Sequence, residues 1–401
     1  LTSTRPWKIL HVIDKLSMDA VNPSSCAHLI RQWHDHIDAD RFSMAVCTLR
    51  GEDAGGRWLE EAGITVHRLG FGRYSPRNVE GIRAALAREG ADLLHLHGYT
   101  AANMGRIAAR RAGVPNIVHE HAILRTLPHQ FVADFLLRRL TSAAVAVSSG
   151  VREFMIRGRS VPADKIRVIP NGVDTGRFRR LAGWLRHEKR RQLGIAQACP
   201  VVGTVTRLRA EKGNRYFILA MRAVMERFPD VIFVVVGDGP QKGLLEDLAA
   251  ATGVSGRVRF LGFRRDVVEL YSIMDIAVFP SLREGSPLAM MEAMAVGLPI
   301  VCSRVSGFLE AAGGADSALF VEPASAIDLA EKITHLLLNP QAAVSLAQRA
   351  GAVAADHDIR RATQALCQLY AEVLEDPRAA AGAAIDGAAP SMSVHTGRSE
   401  W

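Results

Sequence analysis

The chain is poor in cysteine, and the spacing of the few it has bears on its class. Five cysteines in 401 residues, Cys26, Cys47, Cys199, Cys302 and Cys367, are odd in number and widely spaced. No C-x-x-C pair occurs among them, so a disulfide scaffold, a thioredoxin-type redox site and a cysteine zinc site are excluded, and a reducing compartment is expected. No apolar run reaches the roughly 18 residues needed to cross a bilayer. The first fifteen residues lack the basic, apolar and small-residue order of a secretory leader. No G-x-S-x-G nucleophile elbow is present. No complete glycine fingerprint follows the first strand of either half, which disfavours a nicotinamide dehydrogenase.

What is present is 48% hydrophobic residues, enough for two cores of ordinary size. The formal net charge is +8, but cations and carboxylates are interspersed. Nucleic acid is therefore not an expected partner. Two local basic clusters, Arg106 to Arg111 and Arg138-Arg139, could face acidic lipid. A cytoplasmic protein is expected, in contact with the inner membrane face at most peripherally.

Short β-rich runs alternate with helical periodicities throughout. In the first half they are Lys8–Ile13, Ser43–Leu49, Thr65–Leu69, Leu93–His97, Asn116–Glu120 and Ala143–Ser148. In the second they are Val201–Thr206, Ile232–Gly237, Val258–Leu261, Ile276–Pro280, Ile300–Ser303 and Ala318–Val321. Alternation of this kind predicts an α/β fold of two doubly wound, Rossmann-like domains facing a central cleft. We place the first domain at 1–174 and the second at 175–376, with a helix over about 358–376 packing back on the first. Pro170, Asn171 and Gly172 enforce a turn at the junction. The Ala-, Gly- and Ser-rich stretch 377–401 reads as a disordered tail.

The segment Arg283 to Pro299 sets Glu284 and Glu292 around the start of one helix. Ser286 is predicted to cap that helix, with Pro287 at its first position, and Gly297 with Pro299 ends it. Leu288, Met291 and Ala295 share an apolar face that contains Glu292, a carboxylate that must find a partner. Glu284 sits where a strand's carboxyl end meets a helix N-terminus, the usual ligand crevice of an open α/β sheet. In the same half, Arg207 and Lys212 flank the loop after Val201–Thr206 and are placed to bracket a diphosphate. The run Val234 to Gly243 has glycines after a strand, but Pro240 removes an N–H donor, so it reads as a structural or substrate loop.

Four histidines, His95, His97, His119 and His121, close two strands of the first half. Their i, i+2 spacing puts each pair on one face, and a polar lining of the cleft is preferred to a metal site. Asp38-Ala39-Asp40 matches a metal-binding pattern but lies in a helix-to-strand turn, and is set aside.

Together these residues resemble the retaining glycosyltransferases of family 4, which have the GT-B fold. The carriers are VIPNGVD (Val168–Asp174), Arg207 and Lys212 with Gly213, VVVGDGP (Val234–Pro240), FLGF (Phe260–Phe263) and the paired glutamates Glu284 and Glu292. The resemblance implies transfer of a sugar from a nucleoside-diphosphate sugar to an unidentified acceptor, without metal or other cofactor. It implies that Arg207 and Lys212 hold the diphosphate and that Glu292 binds the ribose. Glu284 then meets the transferred sugar, and Gly285, Ser286, Pro287 and Leu288 contact phosphate and sugar. The cleft histidine falls on His121, with His119 second; His97 and Asn171 are further candidates. The glycine-rich loop that family members carry after the first strand is here Ser17 to Ser25, without glycine. Two rival readings are a sugar-nucleotide epimerase on the same fold and a non-catalytic nucleotide-sugar-binding protein. Oligomeric state is not legible.

Overall fold

The computed structural model describes residues 5–17, 22–124 and 126–376. The stretch 377–401, read above as a tail, and four residues of the glycine-free loop, Met18–Val21, lie outside the described residues. Two parallel sheets organise the chain. The first contains β1 (Trp7–Ile13), β2 (Phe42–Thr48), β3 (Thr65–Arg68), β4 (Leu93–His97), β5 (Asn116–Glu120), β6 (Ala143–Ala146) and β7 (Ile166–Val168). The second contains β8 (Val201–Val205), β9 (Ile232–Val236), β10 (Val258–Gly262), β11 (Ile276–Phe279), β12 (Ile300–Ser303) and β13 (Leu319–Val321).

The strand orders are β3-β2-β1-β4-β5-β6-β7 and β10-β9-β8-β11-β12-β13. Both run outward in two directions from a central pair, β1/β4 and β8/β11. In each, the order reverses between that pair, so a crevice opens at the strands' carboxyl ends. The central strands read as near-continuous apolar runs because helices cover both faces. Along β1, Leu10 and Val12 enter one core while Ile9 and Ile13 enter the core on the opposite face.

The chain passes between the domains twice, and the two passages lie side by side. Val173 N donates to His357 O at 2.9 Å and Ile359 N to Val173 O at 2.9 Å. Gly172 permits this approach, since a Cβ there would stand 2.4 Å from Ile359 Cα. Asp358 then caps the helix Ile359–Glu375, accepting from Arg360 N. That helix turns Ile359, Leu366, Cys367, Tyr370 and Val373 into the first domain's core, beside Ile9, Trp33 and Phe42. Their spacing of about one or two turns makes a single apolar stripe.

Candidate active site

The second domain's wall begins after β8. Leu208 is buried and anchors the loop that carries the two cations. Its N–H donates to Asp238 O at 2.9 Å, and its carbonyl accepts from Gln241 N at 2.9 Å. The Val234 to Gly243 run thus brackets the cation loop through its backbone. Lys212, closing a short turn, reaches Glu284, with Nζ 2.5 Å from Oε2. Arg207 stays exposed on the same loop and makes no ion pair among the described residues.

Glu284 precedes the helix Leu288–Ala295, which follows the buried strand β11, and Glu292 lies within it. Ser286 does not cap this helix. Pro287 occupies the cap position, no side chain bonds there, and Ser286 Oγ instead accepts from Asn171 Nδ2 at 3.0 Å. The hydroxyl is recruited across the domain junction, a contact that local capping rules do not contain. Gly285 has a similar constraint: a Cβ on it would stand 2.9 Å from His121 O and 3.1 Å from Ala122 Cα. Leu288 packs against the first domain's core. Segment 284–288 is therefore part of the seam at which the two domains meet.

Glu292 finds its partner in Tyr271, whose hydroxyl lies 3.3 Å from Oε2 and 2.8 Å from Ala289 O. Burial pushes the Glu292 carboxyl up to about 7, against the opposing pull of Arg177's charge and the tyrosine hydroxyl. Tyr271 and Arg177 were not singled out from sequence. Tyr271 comes from the helix Val267–Ile273, where nothing in its own neighbourhood distinguishes it from a core tyrosine.

The first domain's wall carries the histidines, but not as a lining. His95, His97 and His119 are buried, together with His11 from β1, and only His121 is partly exposed. Parallel register sets His11 beside His95 and His97 beside His119. All lie on one face, beneath the Trp33 indole and beside Tyr370. The expectation of a polar cleft surface is thus corrected for three of the four. Helices Ser25–His36 and Ile359–Glu375 bury them, and those packings are non-local. The basic cluster is corrected likewise at Arg106. Its guanidinium is 1% exposed and bonds Asp134 Oδ1 at 3.1 Å, so it does not face lipid.

The structure brings Lys212 to Glu284, Asn171 to Ser286 and the His121 backbone to Gly285, with Glu292 half-buried just over one turn into the helix. A cationic amine, a carboxylate held by it and a second carboxylate poised near neutrality suit a ligand with a polyanionic group and several hydroxyls.

Comparison with known proteins agrees with this geometry. The profile of "Glycosyl transferases group 1" matches residues 186–353, and that of "Glycosyltransferase Family 4" matches residues 26–177. The chain is 34% identical over 237 residues to the UDP-Gal:alpha-D-GlcNAc-diphosphoundecaprenol alpha-1,3-galactosyltransferase of Escherichia coli. That match spans 55% of this chain and 60% of the relative. It is 30% identical over 268 residues to the 2-deoxystreptamine glucosyltransferase of Streptomyces kanamyceticus, spanning 62% and 69%. Its fold matches that of Anabaena HepE, solved in complex with UDP, with a TM-score of 0.80 at 23% identity over 91% of this chain and 100% of the other.

Two doubly wound domains closing on a cleft of this composition define a GT-B glycosyltransferase. Within that class, the chain belongs to glycosyltransferase family 4.

Proposed function

We propose that the cleft transfers a sugar from a uridine-diphosphate sugar to an acceptor hydroxyl with retention at the anomeric carbon. The observation that carries this reading is the Lys212–Glu284 pair at the seam. Lys212 and Arg207 offset the charge that grows on the leaving diphosphate, a role that in this reading requires no divalent metal. Glu284 accepts hydrogen bonds from hydroxyls of the transferred sugar, and Glu292 accepts them from the ribose. The acceptor attacks on the face the diphosphate leaves, and the departing phosphate oxygen takes its proton. The choice of uridine is supported by the names of the galactosyltransferase relative and of the HepE complex.

The reading extends to where the acceptor is met. The helix Pro128–Leu137 exposes Phe131, Val132, Phe135 and Leu136, with Arg139 exposed just beyond it. An apolar patch rimmed by cations fits an anionic bilayer, which would put the chain at the cytoplasmic face of a membrane.

The test is a thermal-shift panel of UDP, GDP, ADP and their sugars. A matched donor at 100 times its dissociation constant adds about 2.7 kcal/mol of apparent stability. UDP-linked ligands should stabilise the wild type, and Lys212→Ala should abolish the shift while keeping the unliganded midpoint. Stabilisation by none of them, or an undiminished shift in Lys212→Ala, contradicts the assignment.

A further inference from the structure

The first turn of one helix in the first domain touches three parts of the second. The helix Ser149–Arg159 follows β6 and is capped by Ser148, whose Oγ accepts from Val151 N at 3.2 Å. Its first residue, Ser149, is held by Glu310. Ser149 N donates to Oε1 at 2.7 Å and to Oε2 at 2.9 Å, and Ser149 Oγ donates to Oε1 at 3.2 Å. At the next position, a Cβ on Gly150 would stand 3.6 Å from Ser306 Oγ. At the one after, Val151 Cγ2 lies 3.5 Å from where a Cβ on Gly285 would stand. A carboxylate placed as Glu310 is meets both an N–H without an intrahelical partner and the positive end of the helix dipole.

Glu310 belongs to the short helix Ser306–Ala311, and Gly307, three residues before it, is buried against Glu284. A Cβ on Gly307 would stand 2.3 Å from Glu284 O and 3.3 Å from Glu284 Cβ, so the two backbones close to this distance only because the residue is glycine. Residues at i and i+3 share one face of a helix. The face of Ser306–Ala311 that rests on Glu284 is therefore the face that Glu310 fastens to the first domain. The turn that carries Glu284 is thus gripped twice, by Gly307 at its carbonyl and by Val151 at Gly285. From this turn the Glu284 side chain reaches Lys212.

We propose that Glu310 is a positioning residue for the donor sugar. By fastening the helix Ser306–Ala311 to the first turn of Ser149–Arg159, it fixes the backbone of Glu284 and with it the carboxylate that meets the sugar. The inference rests on the glycosyl-transfer reading for the role of Glu284. The bracing of the turn does not depend on it. Recognition of the sugar, although made by a side chain of the second domain, then requires the first domain to be docked, whereas recognition of the nucleotide by Lys212 and Glu292 does not.

Two variants of the full chain cut the contact from opposite sides. Glu310→Ala removes the acceptor. Ser149→Pro removes both donors at the first helical position, where a missing N–H is tolerated, and the extended Ser148 before it (φ −163°, ψ 165°) suits a following proline. Without ligand, amide hydrogen exchange in segment 284–291 should be about threefold to tenfold faster in each variant, the scale of one carboxylate at a helix N-terminus. The double variant should exchange no faster than the faster single one, since both remove one interaction. By calorimetry each variant should bind UDP at least as tightly as the wild type and lose about threefold to tenfold of the affinity that the sugar of the best UDP-sugar adds. Unchanged exchange in that segment overturns the proposal, as does faster exchange spread over the whole second domain. Equal loss of affinity for UDP and UDP-sugar, or full retention of the sugar's contribution, overturns it as well. Glu310→Ala, a change at the surface, decides the matter if Ser149→Pro does not fold. A wild type that gains no affinity from any sugar contradicts the glycosyl-transfer reading instead, and the exchange then still decides whether Glu310 braces the turn.

Discussion

Glu292 shows what burial does to a single residue's chemistry. Its carboxyl, held at about 7 by burial against the pull of Arg177 and Tyr271, has a folded pKa above its unfolded value near 4.5. Between those values the folded state binds the extra proton, so this group's contribution to stability is present at low pH and is lost as pH rises toward 7. The loss is on the order of 3 kcal/mol. Glu292→Gln should therefore flatten the fall in unliganded stability between pH 5 and 8, measured by urea unfolding. On the proposed role of Glu292, ribose hydroxyls would donate to its ionised form, so UDP affinity should rise over the same window in the wild type and not in the variant. Parallel pH profiles of the two proteins would contradict the assignment. The sequence shows that Glu292 interrupts an apolar stripe and needs a partner. It does not show that the partner is Tyr271, because that contact spans two helices joined only through packing.

At the scale of elements, most strands were legible because a parallel sheet buried on both faces demands continuous apolar runs. The exception is β7, Ile166–Val168, in which Arg167 and Val168 are exposed and Pro170-Asn171-Gly172 follows at once. An edge strand of three residues carries little hydrophobic signal, and the turn residues dominate the reading. The helix Pro128–Leu137 is inverted with respect to the usual pattern. Its Asp134 is buried, held by Arg106 at 3.1 Å and Arg159 at 3.2 Å, while Val132 is 55% and Leu136 71% exposed. A buried carboxylate between two guanidinium groups orients the helix, since breaking such a network costs about 3–5 kcal/mol. If the apolar side meets a bilayer, the wild type should float with vesicles containing anionic lipid and not with zwitterionic ones. Replacing Val132 and Leu136 together by Glu should then reduce partitioning about a hundredfold or more, given about 1.5–3 kcal/mol for each buried side chain. Equal flotation of wild type and variant, or none by the wild type, would contradict the docking.

The whole molecule is two similar sheets held across one seam. Besides Asn171 to Ser286, the Glu310 carboxylate accepts from Ser149 N at 2.7 and 2.9 Å, placing an acid of the second domain on a helix N-terminus of the first. The two-domain architecture followed from alternation of strands and helices. The seam did not, because it is made of residues far apart in the chain whose partners no local rule selects. At that seam Lys212 is paired with Glu284, so a diphosphate held as proposed would compete for the same amine. The central claim is that Lys212 serves the diphosphate and Glu284 the sugar. Calorimetric titration of Glu284→Gln and wild type with UDP, and with the UDP-sugar that stabilises the wild type most, separates these roles. The account predicts that Glu284→Gln binds UDP at least as tightly as the wild type, because Lys212 is released, and loses the added affinity that the sugar confers. A Glu284→Gln protein that loses affinity for UDP and UDP-sugar by the same factor, or that keeps the full preference for the sugar nucleotide, would contradict it.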